Sequence, residues 1–348
     1  MSSNYELNPF GYLVPSSVSD AVSMLTKYGG DAKVMGGGTD LLYLMKNHVE
    51  MHTPKYLVDI SPLNLNKVSY NSSSGLTIGA TTPLATIMND QNVQKYYAAI
   101  AGATSGHPSQ MAAAATAAGN ISQEVWCWYL RNNLDCWRNG GNVCYAINGD
   151  NRYYHSIFGG NLCYAVHASD LATALFAHNA TLTVAGPNGN STKTMDQFMP
   201  GISTVDGIVK ENSLRYNEII TAINVPAPAS GTLSTFFRMT DRGAIDFPLA
   251  TASVVAEMSG STVKSARIYM GHVATKPIRA SGAESAIVNQ SLPIAESTIA
   301  TAAANAVKGA TPLTSLSTNA AGVGHSNKFR VWITQGVVAN AIRALNTA

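Results

Sequence analysis

The four cysteines of this 348-residue chain are its most reactive side chains, and all four lie within one short segment. They are Cys127, Cys136, Cys144 and Cys163. Glycine pairs at 140–141 and 159–160 mark turns in the same segment. Thiolates bind soft metals and iron–sulfur clusters, and turns let them converge from several directions. The segment is therefore predicted to form a metal or cluster site.

The residues alone leave several uses of these thiols open. They could be small buried side chains, since free cysteine is often buried, although the rest of the chain has none. Disulfides are unusual in a reducing compartment. A structural zinc usually has short C-x2-4-C pairs, whereas the gaps here are eight, seven and eighteen residues. Separated turns favour a 4Fe–4S cluster, whose iron atoms sit at four corners, with Trp126, Trp128 and Trp137 as either its shield or ordinary core residues.

A glycine loop at residues 36–40, Gly-Gly-Gly-Thr-Asp, is the second feature that could do chemistry. A predicted strand at 32–35 precedes it, and a predicted helix at 41–46 follows it. This order places backbone N–H groups around a phosphate. The loop matches neither G-x-G-x-x-G nor a Walker motif, so an ordinary tight turn is an equal alternative. Asp40 is predicted to cap the following helix rather than bind a ligand hydroxyl.

Blocks along the chain resemble, in order, the FAD-binding subunit of the molybdenum hydroxylases, which is the xanthine dehydrogenase and carbon monoxide dehydrogenase family. V-M-G-G-G-T-D-L-L resembles the family's A-G-G-T-D-L-L loop, T-A-A-G-N resembles T-x-G-G-N, and S-D resembles the end of P-S-D. R-G-A-I-D-F-P-L-A and M-G-H-V-A-T-K-P-I-R-A resemble later blocks. The resemblance implies an FAD site, with the pyrophosphate on the glycine loop. Its predicted residues are Val34, Met35, Gly36, Gly37, Gly38, Thr39, Asp40, Leu41, Thr116, Gly119, Asn120 and Asp170.

The cysteines fill an insertion between two of these blocks. Most family members join T-x-G-G-N to P-S-D by a much shorter connection, whereas Asn120 and Asp170 are 50 positions apart here. Such an insertion resembles the β subunit of 4-hydroxybenzoyl-CoA reductase and the flavin subunit of some bacterial aldehyde oxidoreductases. The resemblance implies that the four cysteines bind one 4Fe–4S cluster.

The family resemblance also implies an α+β fold. A two-lobed FAD-binding domain of the vanillyl-alcohol-oxidase/xanthine-dehydrogenase type is expected at 1–226. Its lobes are expected at about 1–60 and 61–226, the second carrying the insertion at about 121–168. A linker-like stretch at 226–231 precedes a C-terminal α+β domain at 232–348, with a small antiparallel sheet and helices.

Composition excludes some partners and favours others. The net charge of +2 offers no basic field for nucleic acid, and no apolar run reaches the ~18 residues of a membrane helix. Residues 1–9 show no signal peptide. We therefore expect a cytoplasmic protein, or a periplasmic one if it is exported with a signal-bearing partner. Only 12% of residues are charged, which suggests that other chains cover part of the surface.

No acid, base or nucleophile motif such as G-x-S-x-G or H-E-x-x-H is found. The chain is therefore predicted to be an electron-transfer subunit of an oxidoreductase. By resemblance, its partners are a large molybdenum-cofactor subunit and a small 2Fe–2S subunit, in a heterotrimer that dimerises, with ferredoxin as a further one-electron partner. The alternatives are a standalone FAD-dependent oxidoreductase that acts directly on a small substrate, and a non-enzymatic zinc module.

Overall fold

The computed structural model describes residues 6–243, 246–318 and 324–348. Helices and sheets alternate irregularly along the chain, so the predicted α+β class is confirmed. Within the described ranges, no helix has the length and apolar character needed to cross a bilayer. Residues 1–5, and residues 244–245 of the R-G-A-I-D-F-P-L-A block, lie outside the described residues.

The first sheet is parallel and positions the glycine loop. Its spatial order is β1 (Gly11–Leu13), β3 (Tyr56–Asp59) and β2 (Ala32–Met35). Helix α1 (Val18–Tyr28) begins where Asp20 N donates to the Ser17 hydroxyl at 3.1 Å. The glycine loop connects β2 to α2 (Leu41–Lys46). It therefore lies at the carboxyl edge of the parallel strands, where ligands of α/β sheets bind.

The second sheet is antiparallel and packs within an extensive hydrophobic cluster. Its spatial order is β4 (Val68–Asn71), β5 (Gly75–Gly79), β10 (Ile219–Val225), β6 (Thr181–Gly186) and β7 (Gly189–Thr194). Short helices lie between its strands: α3 (Leu84–Asn89), α4 (Gln91–Tyr96), α5 (Ala98–Ser105), α6 (Ser109–Ala114), α7 (Ala117–Ile121), α8 (Trp128–Arg131), α9 (Asp170–Ala177) and α10 (Met195–Phe198). A hairpin of β8 (Ser203–Val205) and β9 (Ile208–Lys210) follows α10.

Two helices predicted as continuous are each broken in the structure. The pattern at 93–104 predicts one helix, but Tyr97 has φ −137° and ψ 50°, which separates α4 from α5. The buried Tyr97 hydroxyl donates to Pro226 O at 3.1 Å, so a distant contact outweighs local helix propensity. The pattern at 111–118 is broken at Thr116, which is extended and caps α7 by accepting from Gly119 N.

The third sheet forms the C-terminal part of the chain. Its spatial order is β11 (Leu233–Thr240), β12 (Pro248–Ser259), β13 (Thr262–Gly271) and β14 (Ile278–Arg279). Helices α11 (Ser281–Ile287), α12 (Glu296–Ala306) and α13 (Phe329–Arg343) follow, with a hairpin of β15 (Thr314–Thr318) and β16 (Gly324–Ser326) before α13. Strand β12 contacts both α13 and α9, and its first nine residues are all buried. The second and third sheets are thus joined through α9.

Arg330 ties the cysteine segment, residues 121–168, to the C-terminal helices. Its guanidinium is buried, donates to Leu249 O at 2.6 Å, and also donates to the carbonyls of His155 and His272. Burial lowers the pKa of Arg330 to about 9. Asn327 adds a hydrogen bond to Ser156 O at 2.9 Å. The cysteine segment is therefore packed into the fold and tied to the start of α13.

Candidate functional site

One cavity of about 580 Å³ contains the whole predicted FAD site. We call it the large pocket, and its volume is in the range of small-molecule and cofactor sites. The glycine loop, α7, the start of α9, Arg238, Arg242 and residues 246–248 form its walls. All twelve residues predicted to bind FAD line it: Val34, Met35, Gly36, Gly37, Gly38, Thr39, Asp40, Leu41, Thr116, Gly119, Asn120 and Asp170.

The glycines of the loop are required by the protein's own backbone packing. A Cβ on Gly37 would overlap the carbonyl oxygen of Ala114. A Cβ on Gly36 or Gly119 would lie 2.7 Å from Thr116 Oγ1. The loop therefore rests directly on the α6–α7 junction, and this contact fixes the shape of the large pocket.

Asp40 does not cap α2, so that prediction is wrong. Its Oδ1 accepts from Arg131 Nη1 at 2.7 Å, and its Oδ2 accepts from Glu124 N at 2.8 Å. Arg131 is buried, and its guanidinium lies 4.6 Å from the ring centroid of Trp126. A charge-assisted bond to guanidinium is stronger than a neutral cap. Asp40 thus fastens the glycine loop to the start of the cysteine segment.

Asn120 and Asp170 hold the far wall of the large pocket together. Ser169 Oγ donates to Asn120 Oδ1 at 2.6 Å, which joins the two ends of the cysteine segment. His272 Nε2 donates to Asp170 Oδ1 at 2.8 Å, and Arg238 Nε lies 3.7 Å from Oδ2. Burial alone would raise the pKa of Asp170, but His272 and Arg238 outweigh it and lower the pKa. The ionised carboxylate therefore connects α9 to the third sheet.

An aromatic wall of the large pocket was not predicted from the sequence. Trp126, Tyr154 and Phe247 line the pocket, and the rings of Trp126 and Phe247 stack with centroids 4.1 Å apart. Trp126, for which the sequence left open a role as a shield or as a core residue, lines this pocket, whereas Trp137 lines the cavity of the thiols. No local pattern marks the aromatic wall, since its residues come from three separate stretches.

Several polar atoms in the pocket wall are buried without a hydrogen-bond partner. They are Trp126 Nε1, His52 Nε2 and Arg238 Nε. Burial lowers the pKa of His52 to about 3, so its ring is neutral. Buried polar atoms are normally hydrogen-bonded. Their position in the wall fits a polar ligand that fills the pocket.

The four cysteines line a second, smaller cavity, which we call the cysteine cavity. All four are free thiols, and only Cys144 is not fully buried. The cavity measures about 20 Å³. Across the described part of the chain, no three His, Cys, Asp or Glu side chains are placed to hold a metal ion. The fold thus gathers the thiols around one space without closing them on a single ion.

Burial keeps three of the thiols protonated. It raises the pKa of Cys127 to about 12 and also raises the pKa of Cys136 and Cys163. The positive charge of Arg138 is the largest effect that opposes the rise at Cys163. Metal binding requires thiolates and releases their protons. A cation would therefore change the charge of this cavity strongly.

A buried polar network connects the two cavities. Arg138, which lines the cysteine cavity, donates through Nη2 to Glu124 and, at 2.7 Å, to Glu211. Glu124 Oε2 lies 3.4 Å from His52 Nδ1, which lies 3.4 Å from Lys33 Nζ. Lys33, His52 and Glu124 all line the large pocket. The two cavities therefore share a wall of contacting side chains.

The charges of this network are uneven. Burial alone would raise the pKa of Glu124, but the charge of Arg138 and its other neighbours lower it to about 2. Burial raises the pKa of Glu211, and it lowers the pKa of Lys33 to about 8. Glu124 is therefore the carboxylate that stays ionised beside Arg138.

Comparison with known proteins places this chain in a family. Residues 8–228 match the FAD binding domain in molybdopterin dehydrogenase, and residues 235–345 match the CO dehydrogenase flavoprotein C-terminal domain. The aldehyde oxidoreductase FAD-binding subunit PaoB of Escherichia coli K12 is 30% identical over 257 residues, 73% of this chain and 78% of that protein. The chain belongs to the FAD-binding medium subunits of the molybdenum hydroxylases.

One further relative is a medium chain, and two solved structures share the fold. The carbon monoxide dehydrogenase medium chain of Hydrogenophaga pseudoflava is 28% identical over 281 residues, 81% of this chain and 80% of that protein. A solved structure of carbon monoxide dehydrogenase from the same organism has a TM-score of 0.71 at 24% identity, and covers 97% of this chain and 98% of that one. Quinoline 2-oxidoreductase from Pseudomonas putida 86 has a TM-score of 0.72 at 19% identity, with 98% of each chain covered.

These findings confirm the coarser predictions for the medium subunit. The fold is an FAD-binding domain followed by a C-terminal flavoprotein domain, as the resemblance implied. The relatives are oxidoreductase subunits, and FAD binding is the property of the matched domain.

Proposed function

We propose that this medium subunit holds FAD in the large pocket and one 4Fe–4S cluster on Cys127, Cys136, Cys144 and Cys163. It would pass electrons between a 2Fe–2S subunit and an external one-electron donor or acceptor. The observation that carries the proposal is the separation of the predicted residues into two cavities with a shared wall. All predicted flavin residues line one cavity, and all four thiols line the other.

The large pocket suits FAD in shape and chemistry. Residues 36–41 would hold the pyrophosphate, because loop N–H groups before a helix favour an anion. Thr116, Asn120 and Asp170 would close the site on the opposite wall. The ring nitrogens His52 Nε2 and Trp126 Nε1, and Arg238 Nε, have no hydrogen-bond partner and provide further contacts for a polar ligand. Flavin exchanges electrons both in pairs and singly, which suits a chain between two kinds of partner.

The cysteine cavity suits a cluster in its donor set. Four thiols and no spare cysteine match four-cysteine ligation. The small volume means that we expect cluster loading to spread the four turns. Such a cluster carries one electron at a time.

The partners follow from the same assignment. We propose that the chain assembles with a molybdenum-cofactor large subunit and a 2Fe–2S small subunit in a heterotrimer that dimerises, and that ferredoxin is its one-electron partner. The medium-chain relatives support the first part. The low fraction of charged residues is consistent with a surface that partner subunits cover. So is Trp332, which is 65% exposed.

Introducing a negative charge at Thr39 is expected to weaken FAD binding. Thr39 is exposed in the glycine loop and lines the large pocket, so Thr39→Glu would place a carboxylate beside the pyrophosphate. Repulsion between this solvent-exposed carboxylate and the pyrophosphate is expected to cost about 1–2 kcal/mol of binding free energy. That cost corresponds to about tenfold weaker FAD binding. A titration followed by flavin fluorescence gives the FAD dissociation constant of each variant. Thr39→Gln, equal in size but uncharged, should bind nearly as wild type. Equal affinity in both variants would place the pyrophosphate elsewhere.

Expression of the chain alone is expected to give poorly soluble protein. Partner subunits would cover apolar surface that is otherwise exposed, so their co-expression should restore a monodisperse complex. Size-exclusion chromatography with light scattering measures the outcome. A monodisperse, catalytically competent monomer would instead favour the standalone oxidoreductase.

A further inference from the structure

Arg138 has buried donor groups that nothing in the described structure satisfies. It lies two positions after Cys136, is 2% exposed, and lines the cysteine cavity. Only Nη2 has partners, Glu124 and Glu211. Nε and Nη1 are buried and have no hydrogen-bond partner. A guanidinium that keeps three of its five N–H donors free inside a protein indicates an acceptor that enters later.

The chemistry around those donors identifies the acceptor class. The two carboxylates lie on Nη2, whereas Arg138 lines the cysteine cavity together with all four thiols. An anionic sulfur centre in the cysteine cavity would accept from Nε and Nη1. A cluster with four thiolate ligands is such a centre, and its sulfur atoms accept hydrogen bonds that tune its potential.

We propose that Arg138 donates N–H···S hydrogen bonds to the cluster and raises its reduction potential. The inference rests on the proposed 4Fe–4S cluster. Reduction adds one electron, and so one negative charge, to the cluster. A nearby fixed positive charge and donors to sulfur stabilise that more negative state. Arg138 is therefore assigned as a residue that tunes the cluster, in addition to the four ligands.

The test compares three variants in the complex co-expressed with its partners. Arg138→Gln removes the charge, and Arg138→Lys keeps the charge but loses the planar fork. Arg152→Gln is the matched control, because Arg152 lies in the same segment and pairs with Asp150 at the surface. Redox titration followed by electron paramagnetic resonance gives the midpoint potential of each. Arg138→Gln should shift it to more negative values, Arg138→Lys should shift it less, and the control should equal wild type.

A cluster-bearing Arg138→Gln or Arg138→Lys variant with the wild-type potential would overturn the proposal. If neither variant retains a cluster, wild-type protein labelled with [¹⁵N]arginine decides. Pulsed resonance of its reduced cluster should show a weak ¹⁵N coupling, and no coupling would overturn the assignment. A wild-type protein without any iron–sulfur signal would show instead that the proposed function, not the role of Arg138, has failed.

Discussion

Serine in place of any one of the four cysteines is expected to remove or degrade the iron–sulfur cluster and to leave FAD bound. Serine offers a harder oxygen ligand that holds iron–sulfur clusters poorly. The large pocket has no cysteine in its walls, so the protein should keep its FAD when the cluster is lost. Iron and sulfide content, with resonance of the reduced protein, measures the cluster, and flavin absorbance measures FAD.

A control within the same segment separates ligand loss from misfolding. Ser156→Ala removes one buried hydroxyl that makes no hydrogen bond and leaves the thiols untouched, so the cluster should remain. Wild-type protein that holds zinc on these thiols, or that forms two disulfides, would contradict the assignment. A Cys127→Ser variant with full iron content would contradict it equally.

Removing the Asp40–Arg131 pair is expected to loosen FAD and destabilise the protein together. The pair is largely buried and connects the glycine loop to the cysteine segment. Asp40→Asn keeps the side-chain size but leaves the Arg131 guanidinium without its counter-charge. Breaking a buried pair from one side destabilises by about 3 kcal/mol. Denaturant unfolding and the FAD-to-protein ratio after desalting measure the two effects.

An exposed ion pair between the residues just before β2 and β3 provides the comparison. Lys55 and Asp31 lie 3.1 Å apart on the surface, and Lys55→Gln should change stability by less than about 1 kcal/mol. If Asp40→Asn retained FAD at the wild-type ratio and unfolded like the Lys55 variant, the pair would not be what holds the loop in place.

Features set by neighbouring residues were predictable. Ser17 and the apolar spacing after it specify α1, and the strand–glycine–helix order specifies the loop at 36–40. The twelve residues predicted to bind FAD line one pocket. They could be chosen from the family resemblance because each matched sequence block forms a local loop or helix start. A composition rich in alanine likewise predicts helix at 93–104, and it is helix apart from Tyr97.

Features set by distant partners were not predictable. Asp40 meets a guanidinium 91 positions away, and Arg138 meets Glu211 across 73 positions. A carboxylate just before a helix predicts an N-cap. No residue near Asp40 in the sequence indicates that the guanidinium of Arg131 will bind it instead. Trp126 is next to Cys127 in the chain but lines the large pocket instead of the cysteine cavity. Its ring stacks on that of Phe247, the residue just before β12.

The hydrogen bond between Asn120 and Ser169 has a consequence for how such subunits diverge. It holds the entry and exit of the cysteine segment side by side, with backbone pairing of Trp126 and Val166 just inside. The entropy of closing a loop rises only with the logarithm of its length. A long segment can therefore be gained or lost between these two points in evolution while the flanking helices keep their places. The flavoprotein framework can thus accept or discard the whole cysteine segment as one module.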